Sequence, residues 1–128
     1  MTADITVVYV GPASPLQQIA EQAGWRLEVC RTWKGALDAA ERLGATVVIY
    51  DRDANPDGWQ KALRRTLHLS ARPSFLLVSR FADERMWAEL LDNGGYDLLT
   101  APLEAHEVVR TVDAAHGHRS RSLAAGVR

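Results

Sequence analysis

The sequence predicts a three-layer α/β domain with a five-stranded parallel sheet of order 2-1-3-4-5 and helices on both faces. Three observations predict it. Five short, largely apolar, strand-like runs recur along the chain. Each is followed by a stretch with apolar residues at helical spacing. Gly, Pro and Asn punctuate the junctions between them. Apolar strands alternating with amphipathic helices belong in a parallel sheet covered on both sides. Right-handed crossovers, with the least apolar strand at an edge, then give the order.

The elements follow in turn. Residues 5–10 (ITVVYV) are almost wholly apolar and end at Gly11-Pro12, so they read as a central strand. Ser14 reads as a helix N-cap and Pro15 as the first helical residue. Leu16, Ile19, Ala20 and Ala23 mark one helical face, and Gly24 stops it. Residues 25–30 (WRLEVC) alternate in polarity, as a half-exposed edge strand does. Thr32 caps a second helix with Ala36, Leu37, Ala40 and Leu43 inward, closed by Gly44. Residues 46–50 (TVVIY) form the third strand, and 51–58 (DRDANPDG) a polar loop rich in turn formers.

The second half repeats the scheme. Trp59, Leu63 and Leu67 lie at i, i+4 and i+8 of a third helix. Residues 74–78 (SFLLV) are the fourth strand. Residues 82–91 form a helix with Met86/Leu90 and Trp87/Leu91 pairs, ended by Asn93-Gly94-Gly95. Residues 96–99 (YDLL) are a short fifth strand, and Ala101-Pro102 a turn. A last helix spans 104–116, with Val108, Val109, Val112 and Ala115 inward. Beyond it the periodicity fades and arginine accumulates. Residues 1–117 therefore read as one domain and 118–128 as a basic tail or linker.

Composition narrows the function classes. A chain of 128 residues, 47% hydrophobic and 24% charged, suits one globular domain with a sizeable core. The formal net charge of −1 gives no global electrostatic reason to bind nucleic acid or an anionic membrane. Cys30 is the single cysteine, which excludes an internal disulfide and suits a reducing, cytoplasmic compartment. No apolar run is long enough to span a bilayer, and Met1–Asp4 lacks the basic start of a secretory leader.

In a sheet of this order, ligands bind at the carboxyl ends of the strands, near the switch between the first and third. That places residues 11–13, 51–53, 79–80 and 100–102 around any site. Asp51 follows directly on an apolar strand, where a carboxylate serves as nucleophile, metal ligand or turn residue. Asp53 lies two residues on.

The segment TVVIYDRDANPDGW resembles the phosphoacceptor loop of response regulator receiver domains. The segment YDLLTAPL is similar to that family's fifth strand and the proline turn after it. The resemblance runs from residue 5 to about residue 117. It implies a flavodoxin-like, receiver-like fold and a place in bacterial two-component or phosphorelay signalling. Asp51 falls at the phosphoacceptor position and Ser79 at that of the hydroxyl that contacts the phosphoryl group. Pro56, Gly58 and Pro102 fall on supporting loops. Asp51 and Asp53 are the only carboxylates for a weakened Mg²⁺ site. Expected partners are a protein, such as a histidine kinase or an output domain, or a second copy of the chain.

The departures are informative. The family ends its first strand with two acids that hold Mg²⁺; here the sequence reads Tyr9-Val10-Gly11-Pro12. The family's phosphoryl-contacting lysine is Ala101 here. Such a contact is worth about 1.5–3 kcal/mol, and loss of the metal costs more, because Mg²⁺ neutralises charge developing on the phosphoryl oxygens. Arg52 or Arg80 is the available substitute cation. The expectation is therefore an atypical, non-enzymatic receiver without a resident cofactor, acting through protein association. The alternatives are a phosphorylation-independent pseudo-receiver, or a flavodoxin-like ligand-binding or phosphatase domain. The Asp51-x-Asp53 pair with Ser79 is also similar to the haloacid-dehalogenase phosphatases. That family needs a lysine at the site, whereas Lys34 and Lys61 lie on helices away from it.

Other residues carry less. Gly11-Pro12-Ala13-Ser14 lacks the glycines of a nucleotide loop, and His68, His106, His116 and His118 have no metal-ligand spacing. Cys30 has no activating base in sequence. Of four tryptophans, most are expected in the core or its shell. Trp87, on the fourth helix, is the interface candidate, since receiver domains pair through that helix, the fifth strand and the fifth helix.

Overall fold

The computed structural model describes residues 5–124. Strands and helices alternate without exception: β1 (Thr6–Val10), α1 (Leu16–Ala23), β2 (Arg26–Cys30), α2 (Trp33–Leu43), β3 (Val47–Asp51), α3 (Trp59–Thr66), β4 (Ser74–Ser79), α4 (Glu84–Asp92), β5 (Asp97–Thr100) and α5 (Ala105–Ala124). All strand pairs are parallel, and the sheet order is β2-β1-β3-β4-β5.

Side-chain alternation along each strand splits the core in two. Val7, Tyr9, Val47, Ile49, Leu76 and Val78 face Leu16, Ile19, Val108 and Val112 of α1 and α5. Val8, Val10, Val48, Tyr50, Phe75 and Leu77 face Ala36, Ala40, Trp59, Leu63 and Leu90 of α2, α3 and α4. Both faces of the central strands are thus buried, which is why they read as unbroken apolar runs. Each fully buried Val, Leu or Ile contributes about 1.5–3 kcal/mol of transfer free energy. β2 pairs on one side only and keeps the half-exposed pattern expected of an edge.

The punctuation works largely as the sequence predicts. The Thr32 hydroxyl accepts the Gly35 N–H at 3.1 Å and caps α2. Gly24 and Gly44 close α1 and α2 in the left-handed conformation. Several boundaries shift by a residue or two, and two differences are informative. Pro15, not Ser14, occupies the cap position of α1, and no side chain bonds to the first turn. α5 runs on through Ala124 instead of ending at His116. Arg, Leu and Ala are good helix formers, so a helix can continue where the apolar periodicity fades. Residues 118–124 of the expected tail are therefore helical, and 125–128 lie outside the described residues. No helix among the described residues is long and apolar enough to cross a membrane.

Candidate functional site

The register brings the carboxyl ends of β1, β3 and β4 together. Val10 lies beside Tyr50, and Asp51 beside Val78. Gly11 therefore flanks Asp51 at the end of the sheet, and Ser79 closes the next strand. The sequence-predicted residues Asp51, Asp53 and Ser79 all meet here. Pro56 and Pro102 are exposed at the rim, on the β3–α3 and β5–α5 connections.

Asp51 has both carboxylate oxygens engaged. Oδ1 accepts the backbone N–H groups of Asp53 at 3.0 Å and Ala54 at 3.1 Å. This is the turn an aspartate forms with its own downstream backbone. Oδ2 accepts the Tyr9 hydroxyl at 3.3 Å. Burial, the Asp51 charge and this hydrogen bond all push the Tyr9 phenol well above its ordinary pKa, so it stays a donor.

Tyr9 is the neighbour that sequence reading leaves out, and Gly11, placed at the site by the sequence, has no role assigned to it there. Tyr9 looks like one more apolar strand residue, and its hydroxyl is the only signal of a polar role. At Gly11, a Cβ would lie 2.7 Å from the Tyr9 oxygen and 2.8 Å from the Asp51 Cβ, and φ is +155°. The space where a side chain would stand beside Asp51 is taken by the tyrosine head.

Ser79 does not turn to Asp51. Its buried hydroxyl donates to Asp53 Oδ1 at 2.7 Å and accepts the Phe81 N–H at 3.0 Å. Asp53 Oδ2 accepts the Arg80 N–H at 2.7 Å. The Arg52 and Arg80 guanidiniums lie 3.6 Å from the two oxygens of Asp53. Both candidate substitutes for the missing lysine thus pair with Asp53. Burial alone would raise the Asp53 pKa, but the Arg80 N–H, the Ser79 hydroxyl and the two guanidiniums outweigh it and hold the carboxyl below its usual value.

The β3–α3 loop is fixed from beneath. The Tyr50 hydroxyl lies 2.9 Å from the Asn55 carbonyl and 3.0 Å from that of Asp57, to which it donates. Burial and the Asp57 charge push this phenol up to about 12. Gly58 starts α3 at φ +94°, with Trp33 against the space a Cβ would need.

Mg²⁺ takes near-octahedral oxygen ligands. Here the Asp51 oxygens are held by a phenol and two amides, and Asp53 lies between two guanidiniums. No group of three or more His, Cys, Asp or Glu side chains is placed to hold a metal among the described residues. The residues present do not fit a resident divalent cation.

No protein-family model matches the sequence, and neither does any curated protein sequence. Solved structures do match. A CheY-like receiver domain protein from Methanospirillum hungatei superposes with a TM-score of 0.78 at 14% identity, covering 94% of this chain and 99% of that one. A response regulator receiver domain from Clostridium thermocellum gives 0.76 at 15%, with coverage of 92% and 98%. The receiver domain of a sensor histidine kinase from Pseudomonas aeruginosa, with magnesium coordinated in its active-site cleft, gives 0.75 at 19%, with coverage of 90% and 99%. Strand order, helix placement and these superpositions agree: the chain has the CheY-like α/β fold of response regulator receiver domains.

Proposed function

We propose that the chain is a receiver-like signalling module of the two-component type that acts by protein association, without metal-dependent phosphotransfer to Asp51. The observation that carries this reading is the state of Asp51. Its oxygens already serve the Tyr9 hydroxyl and the loop amides, and Gly11 stands beside it where a metal-binding acid would be needed. An in-line attack by Asp51 would require breaking these contacts and would proceed without a cation to neutralise the transferring group.

The association surface is the α4–β5 face. Trp87 is 48% exposed, Leu91 one turn on along α4 is exposed too, and so is Phe81 ahead of the helix. A shallow hollow of 230 Å³ lies between Ala82, Asp83, Trp87, Leu98 and Thr100. Trp is the side chain most often found as an energetic anchor in protein interfaces. The partner is a kinase, an output domain or a second copy, and the module itself catalyses nothing.

Incubation with acetyl phosphate and millimolar Mg²⁺, followed by intact mass, tests the chemistry. The expected result is no added phosphoryl mass. A phosphorylated species that disappears in Asp51→Asn overturns the reading.

A further inference from the structure

The donors at the end of β4 form a set that suits a small oxyanion. A buried hydroxyl, a backbone N–H and two guanidiniums converge within a few ångströms. Charge-assisted hydrogen bonds to an oxyanion are the strong kind. In this chain the set already has an occupant, Asp53.

The contacts form one continuous series. Asp51 Oδ1 accepts the Asp53 N–H and so aims the Asp53 side chain across the gap between β3 and β4. The Asp53 oxygens then take the Ser79 hydroxyl and the Arg80 N–H, both at 2.7 Å. The Ser79 oxygen in turn accepts the Phe81 N–H. Two residues later, Asp83 caps α4 by accepting the Met86 N–H at 2.8 Å. One carboxylate from the β3–α3 loop thereby fixes the path of residues 79–81 immediately before the helix that carries Trp87.

We propose that Asp53 is an internal oxyanion that stands permanently in this donor set and holds the β4–α4 connection in one arrangement. α4 is then presented to partners in a fixed position, with no ligand required. The claim that no modification of Asp51 is needed rests on the reading under Proposed function; the clasp itself rests on the Asp53 contacts alone. Removing the carboxylate leaves the donors facing an empty space the size of a small carboxylate, so a free oxyanion should enter it.

The test uses the full chain and its Asp53→Ala variant, with formate and inorganic phosphate as separate probes. Backbone amide exchange and NMR shifts of Arg80 and Phe81 are the readout, with circular dichroism to verify folding. Exchange at the Arg80 N–H should accelerate about 10- to 150-fold in Asp53→Ala, the range for a lost hydrogen bond to a charged partner. Formate should restore the wild-type shifts in the variant and leave the wild type unchanged. Phosphate acting in place of formate would show that the vacated set prefers a tetrahedral anion, which also supports the proposal. Unchanged Arg80 and Phe81 amides, or an equal formate response in wild type and variant, overturn it. Should Asp53→Ala not fold, Asp53→Asn keeps the shape without the charge and must still accelerate Arg80 exchange. Phosphoryl transfer to wild-type Asp51 would defeat the functional reading alone, while an unchanged Arg80 amide would defeat the clasp alone.

Discussion

At Gly11 space decides the residue. A Cβ there meets the Tyr9 ring and the Asp51 side chain at under 3 Å, in a backbone conformation that suits glycine. Gly11→Ala should therefore lower stability by about 1–3 kcal/mol, the usual cost of overpacking, seen as a lower urea midpoint. Tyr9→Phe is expected to remove only the hydroxyl bond and free Asp51 Oδ2, seen as a changed side-chain carboxyl ¹³C chemical shift of Asp51 at neutral pH. Asp53 is one contributor to the acid limb of stability. Its folded pKa lies below the unfolded value of about 3.9. A group depressed in this way contributes stability above that unfolded value and loses it as pH falls through the folded one. Asp53→Asn should thus flatten the fall in urea midpoint between about pH 5 and about pH 2. An equally steep fall in the variant would place the acid sensitivity on other carboxylates.

At the scale of elements, the strands and most caps follow from local sequence. β-branched runs set β1 and β3, a continuous apolar run sets β4, and Thr32, Gly24 and Gly44 act where their chemistry suggests. α4 is the least anchored helix: Leu90 is its one fully buried residue, and Asp83 caps its start. Asp83→Ala should cost about 1 kcal/mol and raise amide exchange in 84–92 more than in α2 or α5. The misplaced elements have physical reasons. Ser14 reads as a cap, but Pro15 takes the cap position, and the first turn of α1 is held by the Ala13 and Pro15 carbonyls. The far part of α5 continues the helix without an apolar stripe in the sequence, so periodicity could not reveal it.

At the scale of the molecule, two outcomes are expected. Millimolar Mg²⁺ should leave both the melting temperature and tryptophan emission unchanged, because a cation that does not bind the native state gives no linkage stabilisation. A rise in melting temperature with Mg²⁺ would restore a metal site at this edge. Trp87→Ala should change folding stability by less than about 0.5 kcal/mol, as surface changes usually do. The same change should weaken association by about 2 kcal/mol or more, roughly 30-fold, if Trp87 anchors the interface. Sedimentation of the chain alone and with a candidate partner measures both forms of association. Trp25 and Trp59 are buried and Trp33 is half-buried, which leaves Trp87 as the exposed tryptophan among the described residues.

Asp51, Asp53 and Ser79 were each legible in the sequence as residues of the sheet's carboxyl edge, because strand ends and sheet order place them there. The five β-α units and their order were equally legible, since local periodicity and handedness constrain them. Which carboxylate pairs with which donor was not. Ser79 meets Asp53 across 26 positions, and Tyr9 meets Asp51 across 42. Such pairs depend on strand register, loop path and rotamer together, and no local pattern encodes them. Local pattern was enough to specify a receiver-like scaffold with an aspartate at the end of β3 and no acids at the end of β1. That this aspartate is held by a phenol and two amides, and that Ser79 and the arginines serve Asp53, follows from how strands and loops distant in sequence come together.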